Sequence, residues 1–142
     1  MRFAATIFVV LFALCFSAIA HAQDLPVGSK DFHVIFEEIQ QGFESGTITI
    51  FSPHLAAQVQ VALKGEETGY YSANHAYYVL ESFLKTRKVA SFEFSSVGQT
   101  DATPFATGSA VFLNKGTREV TQVYVALMKS SENWMIAEIN IY

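Results

Sequence analysis

The chain has 142 residues and a formal net charge of −4, from 9 Lys and Arg against 13 Asp and Glu. Scattered charges of that sign exclude nucleic-acid binding through phosphate neutralisation, which needs clustered Lys and Arg. The single cysteine, Cys15, lies in the first apolar stretch, so past that stretch disulfides, thiol nucleophiles and thiolate metal sites are excluded together.

The chain opens with one positive charge, Arg2, and carries no other charge until Asp24. Between them Phe3 to Ala20 is apolar, and it ends in the small-x-small step Ala20-His21-Ala22. A charged start, an apolar centre and a small-residue end are the three parts of a secretory signal. Residues 1–22 are therefore predicted to be a cleavable export signal, with Gln23 as the mature N-terminus and a periplasmic or extracellular address. A membrane anchor fits less well, because the run is at the lower limit for spanning and has no basic stop after it. No membrane insertion is expected once the signal is gone. Leu14 before Cys15 is also not the small residue that lipoprotein processing requires. Cleavage would leave 120 residues at a net charge of −5, which is one domain with a core of its own.

Residues 23–30 carry Pro26 and Gly28 and read as a short leader, followed by a single domain over 31–142. Phe32, Ile35, Phe36, Ile39 and Phe43 recur at the spacing of one apolar helix face, and Gly42 and Gly46 are predicted to mark where that helix frays and stops. Thr47 to Ala57 is ambiguous: Thr47-Ile48-Thr49-Ile50 favours strand, while Ser52-Pro53-His54-Leu55 suits a helix start. It is read as a short second helix or turn. Gln58 to Leu63 alternates Gln and Val and is a predicted strand. Ser72 is a suitable N-cap for a long helix, whose buried stripe is Ala76, Val79, Leu80, Phe83 and Leu84.

After Lys88 the period changes from 3.6 to 2. Strands are predicted at about Val89–Val97, Phe105–Leu113, Arg118–Met128 and Trp134–Tyr142. Turn-forming clusters at Gly98–Pro104, Asn114-Lys115-Gly116 and Ser130–Asn133 separate them. Such short connections imply antiparallel neighbours. Helices segregated to one face of a curved antiparallel sheet give an α+β fold. The basic residues Lys85, Arg87 and Lys88 are read as a helix C-terminus that complements the macrodipole.

Three stretches carry a family resemblance. They are the first helix running into SPHLAAQVQV, the segment GYYSANHAYYVLESFLK, and the closing VYVALMKSSENWMIAEINIY. With this element order, the chain resembles the nuclear transport factor 2-like superfold, a cone of helices packed into a bent sheet. Within it, the chain is similar to the small exported proteins of domain of unknown function 4783, found mainly in Bacteroidetes. The likeness covers roughly residues 31–142. It departs at His75, where a Gln or Glu would complete a capping box with Ser72. The family carries no assigned activity, so the resemblance implies fold and address and leaves function open.

The superfold also includes ketosteroid isomerase and polyketide cyclases, which place an Asp, Glu or His inside the cone. The polar residues weighed for that role here are His75, Tyr70, Tyr71, Glu93, Tyr124 and Glu138. Tyr70, Tyr71 and His75 are the candidate ligand-binding residues, a mouth of two phenols and an imidazole at a helix start. The plainer reading of His75 is an exposed first-turn residue. Glu93 alternates with Phe92 and Phe94, and Glu138 sits between Ala137 and Ile139, so both carboxylates are expected to face solvent. No carboxylate pair has the spacing of an acid–base couple, and no catalytic residue is assigned.

His33, His54 and His75 lie 21 residues apart on separate elements, unlike the close pairs that metal sites use. No metal or cofactor is expected. Of the nine phenylalanines past residue 22, Phe32, Phe36, Phe43, Phe83, Phe92 and Phe94 fit core positions. The favoured expectation is a non-catalytic binding or interaction module with a pocket for a small apolar ligand, and a homodimer formed through the sheet. The rival is a small enzyme of the ketosteroid isomerase or cyclase kind, using a pocket histidine or carboxylate.

Overall fold

The computed structural model describes residues 31–66 and 68–142, so the predicted signal and leader lie outside the described residues. The first helix, α1, spans Phe32–Ser45 and buries Ile35, Phe36, Ile39 and Phe43, the predicted face. Asp31 caps it by accepting the His33 backbone N–H at 3.1 Å, a contact that satisfies one of the open amides of the first turn. Gly46 ends the helix in the left-handed region at φ 69°, where glycine carries no Cβ penalty. Gly42 has another role from the one predicted. It is buried inside the helix, and a Cβ there would lie 2.5 Å from the Phe51 ring, so its missing side chain admits an aromatic instead of fraying a terminus.

The stretch read as a short second helix or turn is made of turns. Two three-residue 3-10 turns, Ile48–Ile50 and Ser52–His54, stand there. Pro53 does start a helical turn, but the chain is already extended at Leu55, three residues before the predicted strand. Strand β1 spans Leu55–Leu63. A strand that the sequence reading missed, β2 (Gly69–Ser72), folds back antiparallel onto it. Ser72 then caps the second helix, α2 (Ala73–Thr86), its Oγ accepting the His75 backbone N–H at 3.3 Å. Ala76, Leu80 and Phe83 are buried, and Val79 and Leu84 are partly buried against the same core.

The remaining strands are β3 (Lys88–Thr100), β4 (Thr103–Asn114), β5 (Thr117–Ser130) and β6 (Asn133–Ile141). The loop predicted over Gly98–Pro104 shrinks to a two-residue turn. Gly98 and Pro104 sit in paired strand, and the reversal is made at Asp101, whose φ is 54°. The six strands form one sheet in the order β2-β1-β6-β5-β4-β3. All pairs are antiparallel except β1 with β6, the return that α2 and the long meander make geometrically accessible. Register shifts at 55/60, 89/91, 94/96 and 126/127 bend the sheet, as bulges do.

Both helices lie on the inner face of that bend. Val59, Val61, Phe92, Ala110, Phe112, Val123, Val125, Leu127, Ile136 and Ile139 point toward them, none more than 2 % exposed. Phe43 stacks on Phe92 at 4.5 Å between ring centroids, and on its other side on Phe51 at 5.4 Å. Phe83 meets Phe112 edge-on at 5.2 Å. The interior of the cone is thus filled by phenylalanine and aliphatic side chains. Thr121, its hydroxyl bonded to the Ala110 carbonyl at 3.1 Å, and Arg87 are its buried polar residues among those described.

The predicted basic cluster divides. Lys85 pairs with Glu81 one turn back at 3.2 Å, Lys88 is exposed, and Arg87 is buried. The Arg87 guanidinium lies 4.4 Å from the Phe83 ring centroid, donates to the Lys64 carbonyl at 3.2 Å, and pairs with Glu66 and Glu119 at 3.4 and 3.6 Å. It joins the end of α2 to the turn after β1 and to β5, a structural role that spacing did not reveal.

Candidate functional site

Alternation along β2 separates the two tyrosines that the sequence places together. Tyr71 pairs across from Val59 and turns to the helix side; Tyr70 pairs across from Gln60 and turns to the outer face, where it is 72 % exposed. Consecutive strand residues must point to opposite faces. Tyr71 does meet His75. Their rings touch edge-on with centroids 4.9 Å apart, in an open groove of about 270 Å³ that Glu66, Tyr78 and Val79 also line. His75 is exposed there. The groove runs along α2, and its lining includes Phe83, whose side chain is buried in the core.

Tyr70 belongs to a different and larger hollow. On the outer face of the sheet a cleft of about 610 Å³ is lined by Ala56, Ala57, Tyr70, Met128, Met135 and Ala137, with Gln58 and Ser130 at its rim. Three of its lining residues are alanines, and two irregularities of the sheet lie beside them. The β1–β6 register shifts between Leu55 and Gln60, and the β5–β6 register shifts between Ala126 and Leu127, leaving Ala137 as the extra residue. The methionines are adaptable apolar walls, and no residue of the lining carries a formal charge.

The outer face continues from this cleft across β5 and β4. Phe105 and Tyr124 stack at 6.3 Å, and Val120, Met128 and Tyr142 are 62 %, 46 % and 63 % exposed. Glu93 and Glu138 point outward as expected, opposite Ser109 and Ala126. The Glu138 carboxylate accepts from the Asn140 amide at 2.6 Å. Partial burial, then the negative charge of Glu138 and the neighbouring Tyr142, raises the Tyr124 phenol above its ordinary pKa of 10.0. Of the ionisable candidates weighed from sequence, Tyr71 is partly buried against the core, and none is fully buried in it.

The histidines stay apart. His33 and His75 are exposed on α1 and α2, while His54 Nε2 lies 2.8 Å from Glu38 Oε2 and ties the second 3-10 turn to α1. Among the described residues no three His, Cys, Asp or Glu side chains are grouped to hold a metal ion, and no helix is long and apolar enough to cross a membrane.

Solved structures share this architecture. A DUF4783 family protein from Bacteroides uniformis superposes with a TM-score of 0.66 at 20 % identity, over 74 % of this chain and 93 % of its own. A second DUF4783 family protein, from Bacteroides ovatus, gives 0.61 at 18 % identity over 73 % and 90 %. A ketosteroid isomerase-like protein from Erwinia carotovora atroseptica gives 0.60 at 16 % identity over 77 % and 90 %. No curated protein matches the sequence. The fold is the NTF2-like cone, with α1 and α2 packed into a curved six-stranded sheet. The sequence profile of Domain of unknown function (DUF4783) matches residues 36–142, and the chain belongs to that family.

Proposed function

We propose that this chain is an exported, non-catalytic interaction module that works through the outer face of its sheet. The observation that carries this reading is the contrast between the two sheet faces. Among the described residues the inner face is packed with Phe36, Phe43, Phe83, Phe92 and Phe112, whereas an enclosed catalyst would need an ionisable group at the floor of a hollow there. The outer face instead presents Tyr70, Val120, Met128 and Tyr142 to solvent, two of them lining an uncharged cleft. Exposed apolar area of that kind marks a binding surface. A second copy of the chain meeting it face to face would form a two-fold homodimer, and the cleft between the copies has the size of a small-ligand site. An uncharged apolar molecule suits a lining without formal charge.

The alternative is a small enzyme, and the ketosteroid isomerase-like neighbour supports it at the level of fold alone. In that case the Tyr71–His75 groove would be the reactive centre. Light scattering and native mass spectrometry of protein purified from its own host separate the two. Dimer mass, with or without a retained apolar molecule, that is lost in Met128→Lys is the expected result. A monomer at every concentration, with no retained molecule, would overturn it.

A further inference from the structure

The sheet has two free edges, and they are unequal. β2 is four residues long, whereas β3 on the opposite edge runs thirteen residues and, among the described residues, is paired on one side only, with β4. Its Ser91–Gln99 stretch is rich in Phe and Ser and contains one charge, Glu93. A long, weakly charged edge offers its open amides and carbonyls to another strand. Antiparallel pairing of β3 with β3 across a two-fold axis would be self-complementary, so the partner this edge fits is a second copy of the chain.

One side chain occupies that edge. Gln40, from the middle of α1, reaches across so that its Oε1 accepts the Phe94 backbone N–H at 3.1 Å. This is the bond that a carbonyl of an incoming strand would make. The Gln40 Nε2 donates to Glu44 Oε1 one turn further along α1 at 3.2 Å, which fixes the amide with its oxygen toward the strand. Phe36 against Phe94 at 5.8 Å and Phe43 against Phe92 at 4.5 Å hold α1 over the same stretch. The register shifts at 89/91 and 94/96 interrupt the edge on either side of the capped amide. Bulges and a covering helix are two of the devices that blunt edges; here a glutamine supplies the missing strand's carbonyl.

We propose that Gln40 is an edge lock, keeping β3 from adding a strand of a second copy. The test uses Gln40→Met, which keeps the side-chain length and removes the acceptor, with Gln40→Ala to repeat the loss in a smaller side chain. Amide hydrogen exchange followed by NMR should show Phe94 exchanging at least tenfold faster in both variants. Light scattering should show new self-association that persists when Met128→Lys is added, which separates edge pairing from any association through the outer face. Unchanged exchange at Phe94 overturns the proposal. So does faster exchange without new association, and so does association that disappears with Met128→Lys.

Discussion

The inner and outer faces of the same strands obey different rules. Residues alternate along much of β4 and β5, although Ala110–Phe112 and Val125–Leu127 are buried throughout. Inside, Phe43 is held between Phe51 and Phe92, with Gly42 stripped of a side chain to let Phe51 approach. Outside, Val120 and Met128 are as apolar as anything in the core yet stand more than 40 % exposed. The inner face is thus saturated, and the outer face holds the surface that remains to be used.

The division is broken most severely from within. Phe83→Ala should cost roughly 3–5 kcal/mol in urea unfolding, because Phe112 and the Arg87 guanidinium both rest on that ring and cannot close the cavity. A loss below about 1 kcal/mol would mean that α2 turns another side inward. Next comes overfilling. A Cβ at Gly108 would overlap the Glu93 carbonyl across the β3–β4 pair, so Gly108→Ala should reach at least the upper part of the roughly 1–3 kcal/mol range for strained insertions. Thermal melting that matches the parent would show that β3 shifts freely at its bulge.

The outer face should respond in the opposite manner. Met128→Lys replaces an exposed side chain, so folding stability should move by no more than about 0.5 kcal/mol, while self-association measured by sedimentation falls at least tenfold. Equal association in parent and variant would remove the outer face as the contact. His75→Ala supplies the control on the helix side. Neither melting temperature nor association should change, because the ring is exposed and its backbone, not its side chain, engages Ser72.

How much of this was legible in the sequence follows the same division. The inner face was readable wherever a period ran unbroken. The stripe Ile35–Phe43, the Ser72 cap and the Phe92/Phe94 alternation all place residues where the structure does, and Glu93 and Glu138 turn outward as their neighbours require. Reading failed where geometry departs from period. β2 is four residues pressed against a helix cap, and without it Tyr70 and Tyr71 read as one mouth, although a strand must send them to opposite faces. The outer cleft is less legible still. It lies beside the register shifts near Ala56–Ala57 and at Ala137, where the period of two is broken and alternation alone no longer assigns a face. The Gln40–Phe94 bond joins residues 54 apart, and a glutamine among the polar positions of α1 carries no local sign of it.

The smallest expected effect concerns Tyr124, which reports on the outer face without perturbing it. Burial, Glu138 and Tyr142 raise its phenol above 10.0, because the phenolate would lose water and stand beside negative charge. The sign of the linkage follows. Below pH 10 the phenol is neutral in both folded and unfolded chains, and its contribution to stability is fully present there. Above pH 10 the unfolded chain ionises first, so stability falls as pH rises through the folded value. Phenolate absorbance should therefore show a late-titrating component that Tyr124→Phe removes. Glu138→Gln should move that component back toward 10 without abolishing it, since desolvation is the larger cause. Association through the outer face would bury the ring further, so the component should titrate later still at concentrations where the dimer forms. A midpoint independent of protein concentration, in a chain shown to be dimeric, would place the interface away from Tyr124.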